Sequence, residues 1–257
     1  MDRDDDFLID RVAVYREPSI SVMIERRRAA ETSSVRGTNS STTNAAGRRI
    51  MLLGAPQFPG DDPSLKSARD EAAAISKVYG AANSIVLQGI HARKEPFFRT
   101  AHKYSIIHFP THGVYDQRRP LDSYLQLTPS PRDSGRLTGR EIINLDLRTT
   151  NLAVLSACDS GRGRVMRGEG LLGLSWAFEA AGVKTVVASQ WKVDSPSTAL
   201  LMTEFHRQLL TAETTEPQGI SPAVALRRAV LKHKQDVRYK LPYYWASFVV
   251  VGSDRQP

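Results

Sequence analysis

From residue 48 onward, short apolar runs alternate with longer segments in which apolar side chains recur every three to four positions. Ile50-Met51-Leu52-Leu53-Gly54 is an unbroken apolar run ended by Gly and Pro, the mark of a buried strand. Ser84–Leu87, Tyr104–Phe109, Asn151–Ala157, Thr185–Val193 and Ala246–Val251 read the same way. Between them, residues 64–79 place Leu65, Ala68, Ala72, Ile75 and Tyr79 on one helical face, with Gly80 as a C-terminal stop. Further helices are expected over 92–102, from Thr138 (TGREIINL), over 171–181 ahead of Gly182, and near 196–210 and 221–234. Leu121–Leu127 reads as a short strand or hairpin arm, and Ser19–Ile24 as a strand or a short helix. Strands that are apolar on both faces and separated by helices predict a parallel sheet covered on both sides, a single α/β domain over residues 1–257. Residues 31–47 break the rhythm. They hold eight Ser/Thr and one larger aliphatic, Val35, so burial cannot offset their ordering entropy, and they read as a flexible loop or linker within the domain.

Composition narrows the classes. The 257 residues are 41% hydrophobic, enough for a core, and no apolar run reaches the roughly 18 residues of a membrane span. The acidic start, Met1 to Asp6, lacks a signal-peptide pattern. Cys158 is the one cysteine, which excludes an intrachain disulfide and any cysteine-based metal cluster. No cofactor or metal is expected, and the chain reads as cytoplasmic. The net charge of +8 comes from scattered basic pairs and triplets such as Arg26-Arg27-Arg28 and Arg227-Arg228. Without an aromatic-interleaved basic motif, a solvated basic surface is the preferred reading over nucleic-acid binding.

In sheets of this kind the chemistry lies at the carboxyl ends of the strands. Two strands end in unusual polar sequence: His108-Phe109-Pro110-Thr111-His112-Gly113 and Ser156-Ala157-Cys158-Asp159-Ser160-Gly161. Each places a reactive side chain where strand gives way to loop. A thiol with an ordinary pKa of about 8.5 is mostly protonated at neutral pH, and a neighbouring imidazole can generate the thiolate. If the strands are neighbours, His112 and Cys158 share one sheet edge, and the amides of Gly113 and Cys158 are the natural oxyanion donors. A lone cysteine is more often a buried core residue. His108 alternates with core positions and reads as a packed strand residue rather than the base.

At these residues the sequence resembles the CHAT family of caspase-like cysteine peptidases, relatives of separase. The matching stretches are EPSISVMIERR at 17–27, HFPTHG at 108–113, PLDSYLQL at 120–127, LTGREIINLDL at 137–147, the 44 residues 151–194 around the cysteine, and LPYYWASFVVVG at 241–252. The 46-residue spacing from His112 to Cys158 also matches the caspase pattern of about 50. The resemblance implies a caspase-like three-layer sandwich, a mostly parallel twisted sheet with helices on both faces, and a cysteine endopeptidase with His112 and Cys158 as catalytic pair. CHAT domains often follow helical repeats that sense a signal. No repeat occurs here, which implies a stand-alone peptidase or a separate regulatory protein.

The segment Gly161–Gly170 resembles a phosphate-binding loop only superficially. Glu169 stands where a lysine is required, and the resemblance makes this a mobile loop beside the nucleophile. A carboxylate in the substrate pocket would select Arg or Lys through a charge-assisted bond. Asp194, at the end of the fifth strand, and Asp159 are the candidates; each equally suits the cap of a following helix. The family commonly has two acids at the first position, where this chain has Asp194-Ser195. Ser156 stands where metacaspase-like enzymes carry an acid, which argues against calcium dependence. Trp191, Tyr243, Tyr244 and Trp245 are candidates for subsites or for core. A protein or peptide substrate is the expected partner. A latent or non-catalytic peptide-binding signalling module of the same fold is the alternative.

Overall fold

The computed structural model describes residues 7–17, 48–58, 63–116, 118–159, 172–191, 194–215 and 219–252. The readings made for Ser19–Ile24, for residues 31–47 and for Gly161–Gly170 lie outside the described residues. The strands are β1 (Ile50–Pro56), β2 (Ser84–Gly89), β3 (Ile106–Val114), β4 (Tyr124–Gln126), β5 (Arg136–Thr138), β6 (Leu152–Asp159), β7 (Thr185–Ser189) and β8 (Phe248–Gly252). The helices are α1 (Leu8–Arg11), α2 (Pro63–Tyr79), α3 (Lys94–Thr100), α4 (Gly139–Ile142), α5 (Leu172–Ala180), α6 (Ser195–Thr215) and α7 (Pro222–His233).

The strands form one sheet in the order β2-β1-β3-β6-β7-β8, with β4 on the edge of β3 and β5 paired to β4. The pairings among β2, β1, β3, β6 and β7 are parallel. Strand β8 runs antiparallel to β7, as do β4 to β3 and β5 to β4. The sheet is mostly parallel, as expected, and β8 is reversed for a topological reason. A single crossover helix returns the chain to the edge where the strand began. Two helices in series, α6 and α7, leave it at the opposite edge, so β8 runs back.

Alternation along the strands sorts side chains into two cores. Ile50, Leu52, Ile106, Leu152, Val154 and Val187 meet α2, α6 and α7 through Ile75, Phe205 and Leu226. Met51, Leu53, Ile107, Phe109, Ala153, Leu155 and Val186 meet α3, α4 and α5 through Phe97, Ile142, Leu174 and Phe178. This is the predicted three-layer sandwich. Helix ends follow local chemistry. Gly80, at φ +79°, closes α2. Thr138 and Glu141 form a capping box on α4, and the Ser221 hydroxyl accepts the Val224 amide ahead of Pro222 in α7.

Two strand boundaries depart from expectation. The strand predicted over Thr185–Val193 ends at Ser189, its last partner on β8 being Phe248; the Gln190 amide then donates to the Ser247 carbonyl. The strand predicted over Tyr104–Phe109 continues to Val114, because β4 takes up its edge where β1 leaves it.

Candidate active site

Strands β3 and β6 are held in parallel register from Ile106↔Leu152 to Gly113↔Asp159. Both faces of this pair are buried, and a one-residue slip would send every core side chain to the wrong layer. That register pairs His112 with Cys158. Backbones of adjacent strands lie about 4.8 Å apart. The two residues therefore sit side by side at the carboxyl edge of the sheet's central strands, still within strand rather than where strand gives way to loop. The reason is local. Pro110 offers no N–H, and β1 pairs with β3 only as far as His108. Strand β4 then pairs with His112, Gly113 and Val114, and the Thr111 hydroxyl donates to the Gln126 carbonyl. Gly113 is buried between Leu125 on one side and Asp159 on the other.

Period-two alternation puts His108, Pro110 and His112 on one face of β3, the face covered by α2 and α6. His108 is fully buried and packed, as its position implied. Its partners were missed. Its Nε2 lies 2.8 Å from Glu71 Oε1 on α2, and its Nδ1 lies 3.0 Å from Nε2 of His206 on α6. His206 Nδ1 in turn lies 3.0 Å from the Tyr79 hydroxyl. Burial pushes the Glu71 carboxyl up to about 8 and His108 down to about 3. His206 is depressed by burial and then by His108. The charged forms are disfavoured at both ends of the Glu71–His108 contact, so this four-group chain is close to neutral at pH 7. A sequence signal existed. Glu71 lies three residues after Ala68 and four before Ile75, inside the apolar stripe of its helix, and His206 follows Phe205 in another.

Ser156, two residues before Cys158, is buried, and its hydroxyl faces the Glu71 carboxyl and opposes its upward shift. Asp194 is at the start of α6 rather than at the end of a strand. Its Oδ2 accepts the Ser197 amide at 3.0 Å and its carbonyl accepts the Thr198 amide, the geometry of a helix cap. Asp159 pairs through its backbone with Gly113. Trp191 packs against the α2/α6/α7 core, and its indole N–H donates to the Tyr243 carbonyl at 3.4 Å. Trp245 is core, edge-on to Phe7, whereas Tyr243 is half exposed. The register places His112, Gly113, Cys158 and Asp159 side by side on two adjacent strands, and Asp194 stands at the start of α6. Among the described residues no cluster of His, Cys, Asp or Glu forms a metal site, and no helix is long and apolar enough to cross a membrane.

A mostly parallel sheet between two helical layers is the fold of caspase-like cysteine proteases. Gingipain R, described as an Arg-specific cysteine proteinase, superposes with a TM-score of 0.52 at 11% identity, covering 82% of this chain and 47% of its own. Separase in the Saccharomyces cerevisiae separase–securin complex superposes at 0.50 and 14% identity, covering 80% of this chain and 12% of its own. These likenesses show the fold. The model of the CHAT domain matches residues 1–253, and the chain belongs to the CHAT family. Two curated relatives are tetratricopeptide repeat protein 28 of Mus musculus, 30% identical over 118 residues, and of Homo sapiens, 23% identical over 293 residues. The matches cover 46% and 97% of this chain but only 4% and 11% of those proteins.

Proposed function

We propose that this CHAT domain is a cysteine endopeptidase that cleaves protein substrates with a His112–Cys158 dyad. The observation that carries the reading is the parallel register pairing His112 with Cys158 at the carboxyl edge of β3 and β6. In this reading His112 takes the Cys158 proton, and the thiolate attacks the scissile carbonyl carbon. The amides of Gly113 and Cys158 receive the negative charge on the carbonyl oxygen. Collapse of the tetrahedral intermediate breaks the C–N bond, and the imidazolium gives its proton to the departing amine. A thioester remains on Cys158. Water, deprotonated by His112, attacks it, and the thiol is regenerated as the acid product leaves.

Asp159, Asp194 and Trp191 are the proposed substrate-binding residues, and the acids favour a basic side chain before the cut. One fold neighbour is described as Arg-specific, in line with that preference. The Asp194 cap leaves its second carboxylate oxygen for such a contact. Regulation by a partner protein is in line with a neighbour seen as a complex with securin and with relatives named for tetratricopeptide repeats. A peptide-library cleavage profile on the purified chain and on Cys158→Ala tests the reading. Cleavage after Arg or Lys by the wild type and none by the variant is expected; equal cleavage by both refutes the assignment.

A further inference from the structure

We propose that Glu71 is a positioning residue for the dyad, controlling the charge beneath it through a proton chain that runs from Glu71 through His108 and His206 to Tyr79. The proposal rests on the dyad reading above and deepens it.

The three hydrogen bonds in series, at 2.8, 3.0 and 3.0 Å, can be filled in two ways while each imidazole carries one proton. With Glu71 protonated, its O–H donates to His108 Nε2, His108 Nδ1–H donates to His206 Nε2, and His206 Nδ1–H donates to the Tyr79 oxygen. With Glu71 ionised, every bond reverses. Tyr79 O–H donates to His206 Nδ1, His206 Nε2–H to His108 Nδ1, and His108 Nε2–H to the carboxylate. The passage from the first state to the second moves the Glu71 proton to His108 Nε2 and the His108 Nδ1 proton to His206 Nε2. The His206 Nδ1 proton is released, so exactly one proton is lost. No oxidant, reductant or further reactant is needed.

The chain lies under the candidate site. His108 is four positions before His112 on the same face of β3. Ser156 is two positions before Cys158 on β6, about 6.6 Å along the strand. The Ser156 hydroxyl is buried without a hydrogen-bond partner among the described residues, yet it lies near enough to the Glu71 carboxyl to oppose its upward shift. A carboxylate formed at Glu71 thus has a donor waiting on the nucleophile's own strand. The groups facing Glu71 are His108 from β3 and Ser156 from β6, with His206 of α6 one step further. Glu204 and Arg207 of α6 pair with each other, Glu204 also binds Lys232 of α7, and all three line an outer groove with Lys66 and Asp70 of α2. A neutral chain leaves the thiolate–imidazolium pair unopposed. An ionised Glu71 adds negative charge below it and raises the pH at which both the thiol and the imidazolium lose their protons.

The test combines imidazole 15N NMR with the pH profile of Cys158 alkylation by iodoacetamide, on the wild type, Glu71→Gln, Tyr79→Phe and His112→Ala. Glutamine keeps a donor for His108 and mimics the protonated acid. In the wild type both buried imidazoles should switch from Nδ1–H to Nε2–H with one shared midpoint near pH 8. In Glu71→Gln the switch should vanish, and the alkaline limb of alkylation should move to lower pH by about half a unit or more, the scale expected of one charge roughly 10–15 Å away. Tyr79→Phe removes the partner of His206 Nδ1 in both states and should displace the shared midpoint from its wild-type value. Imidazoles that keep one tautomer throughout, or that still switch in Glu71→Gln, overturn the chain. A switch with an unshifted alkylation limb in Glu71→Gln overturns the control of the dyad and leaves Glu71 a packing residue. Alkylation unaffected by His112→Ala would show instead that the dyad reading itself had failed, and the proposal falls with it.

Discussion

Glu71→Gln should change how stability depends on pH, and the structure gives the size of the change. The buried carboxyl titrates at about 8 in the fold against an ordinary 4.5. Between those values the folded chain holds a proton that the unfolded chain has released, so stability falls as pH rises. From pH 6.5 to 8 Glu71 alone removes about 1.6 kcal/mol, being half titrated at the upper value, and the unfolded histidines finishing their proton loss offset roughly half of that, leaving a net decline of about 1 kcal/mol. His108 acts with the opposite sign. Its imidazole is pushed down to about 3 from 6.5, so below pH 6.5 the unfolded chain binds the extra proton and stability rises with pH. His206, depressed by the same burial, adds to that rise. This cluster therefore places a stability maximum near pH 6.5. Glutamine cannot ionise, so the variant should keep the acid-side rise and lose the decline above the maximum. Urea unfolding at pH 6.5 and 8, with the m-value compared to check two-state behaviour, measures it. A wild type equally stable at both values, or a variant with the same decline, refutes the reasoning.

Other substitutions probe the frame that holds the site. Phe109→Ala empties a fully buried position edge-on to Phe97 and beside Phe178, and should cost about 3–5 kcal/mol in urea unfolding. Gly54→Ala places a methyl group against the Pro110 carbonyl, two residues before His112, with backbone on both sides of the clash. It should lower thermal stability and also slow Cys158 labelling, whereas Phe109→Ala should act chiefly on stability. Lys94→Met removes a buried ammonium 2.7 Å from both Asp133 and Glu141 and leaves two carboxylates facing each other. A loss on the order of 3 kcal/mol is expected, with greater proteolytic sensitivity in the β4–β5 hairpin that Asp133 closes.

The layers of the fold were legible where one side chain decides one position. Ile50–Leu53 and Leu152–Leu155 are apolar on both faces and became central strands; Leu65, Ile75 and Tyr79 marked the buried face of α2. The candidate site reads in the sequence as two polar strand ends, His112 and Cys158, but their adjacency is a property of sheet order that no local pattern encodes. The end of β3 was hidden for a related reason. Pro110 argues locally against a central strand, and the extension to Val114 depends on β4, whose three residues are too few to show a period. TVVASQWKV is apolar enough to read as strand up to Asp194, whereas the pairing with β8 stops at Ser189. Glu71 and His206 carry no decisive local signal, because a polar residue on an apolar helix face gains meaning only through its partner on a distant element.

The central claim is that His112 converts Cys158 into a nucleophile, and the chain's single cysteine makes it directly measurable. The observable is the rate of iodoacetamide modification of the chain from acid to alkaline pH, in the wild type and in His112→Ala. The account predicts a reactive thiolate well below the ordinary thiol value of about 8.5 in the wild type, and a return to that value once the imidazole is gone. Superimposable profiles with an ordinary midpoint in both proteins would contradict it.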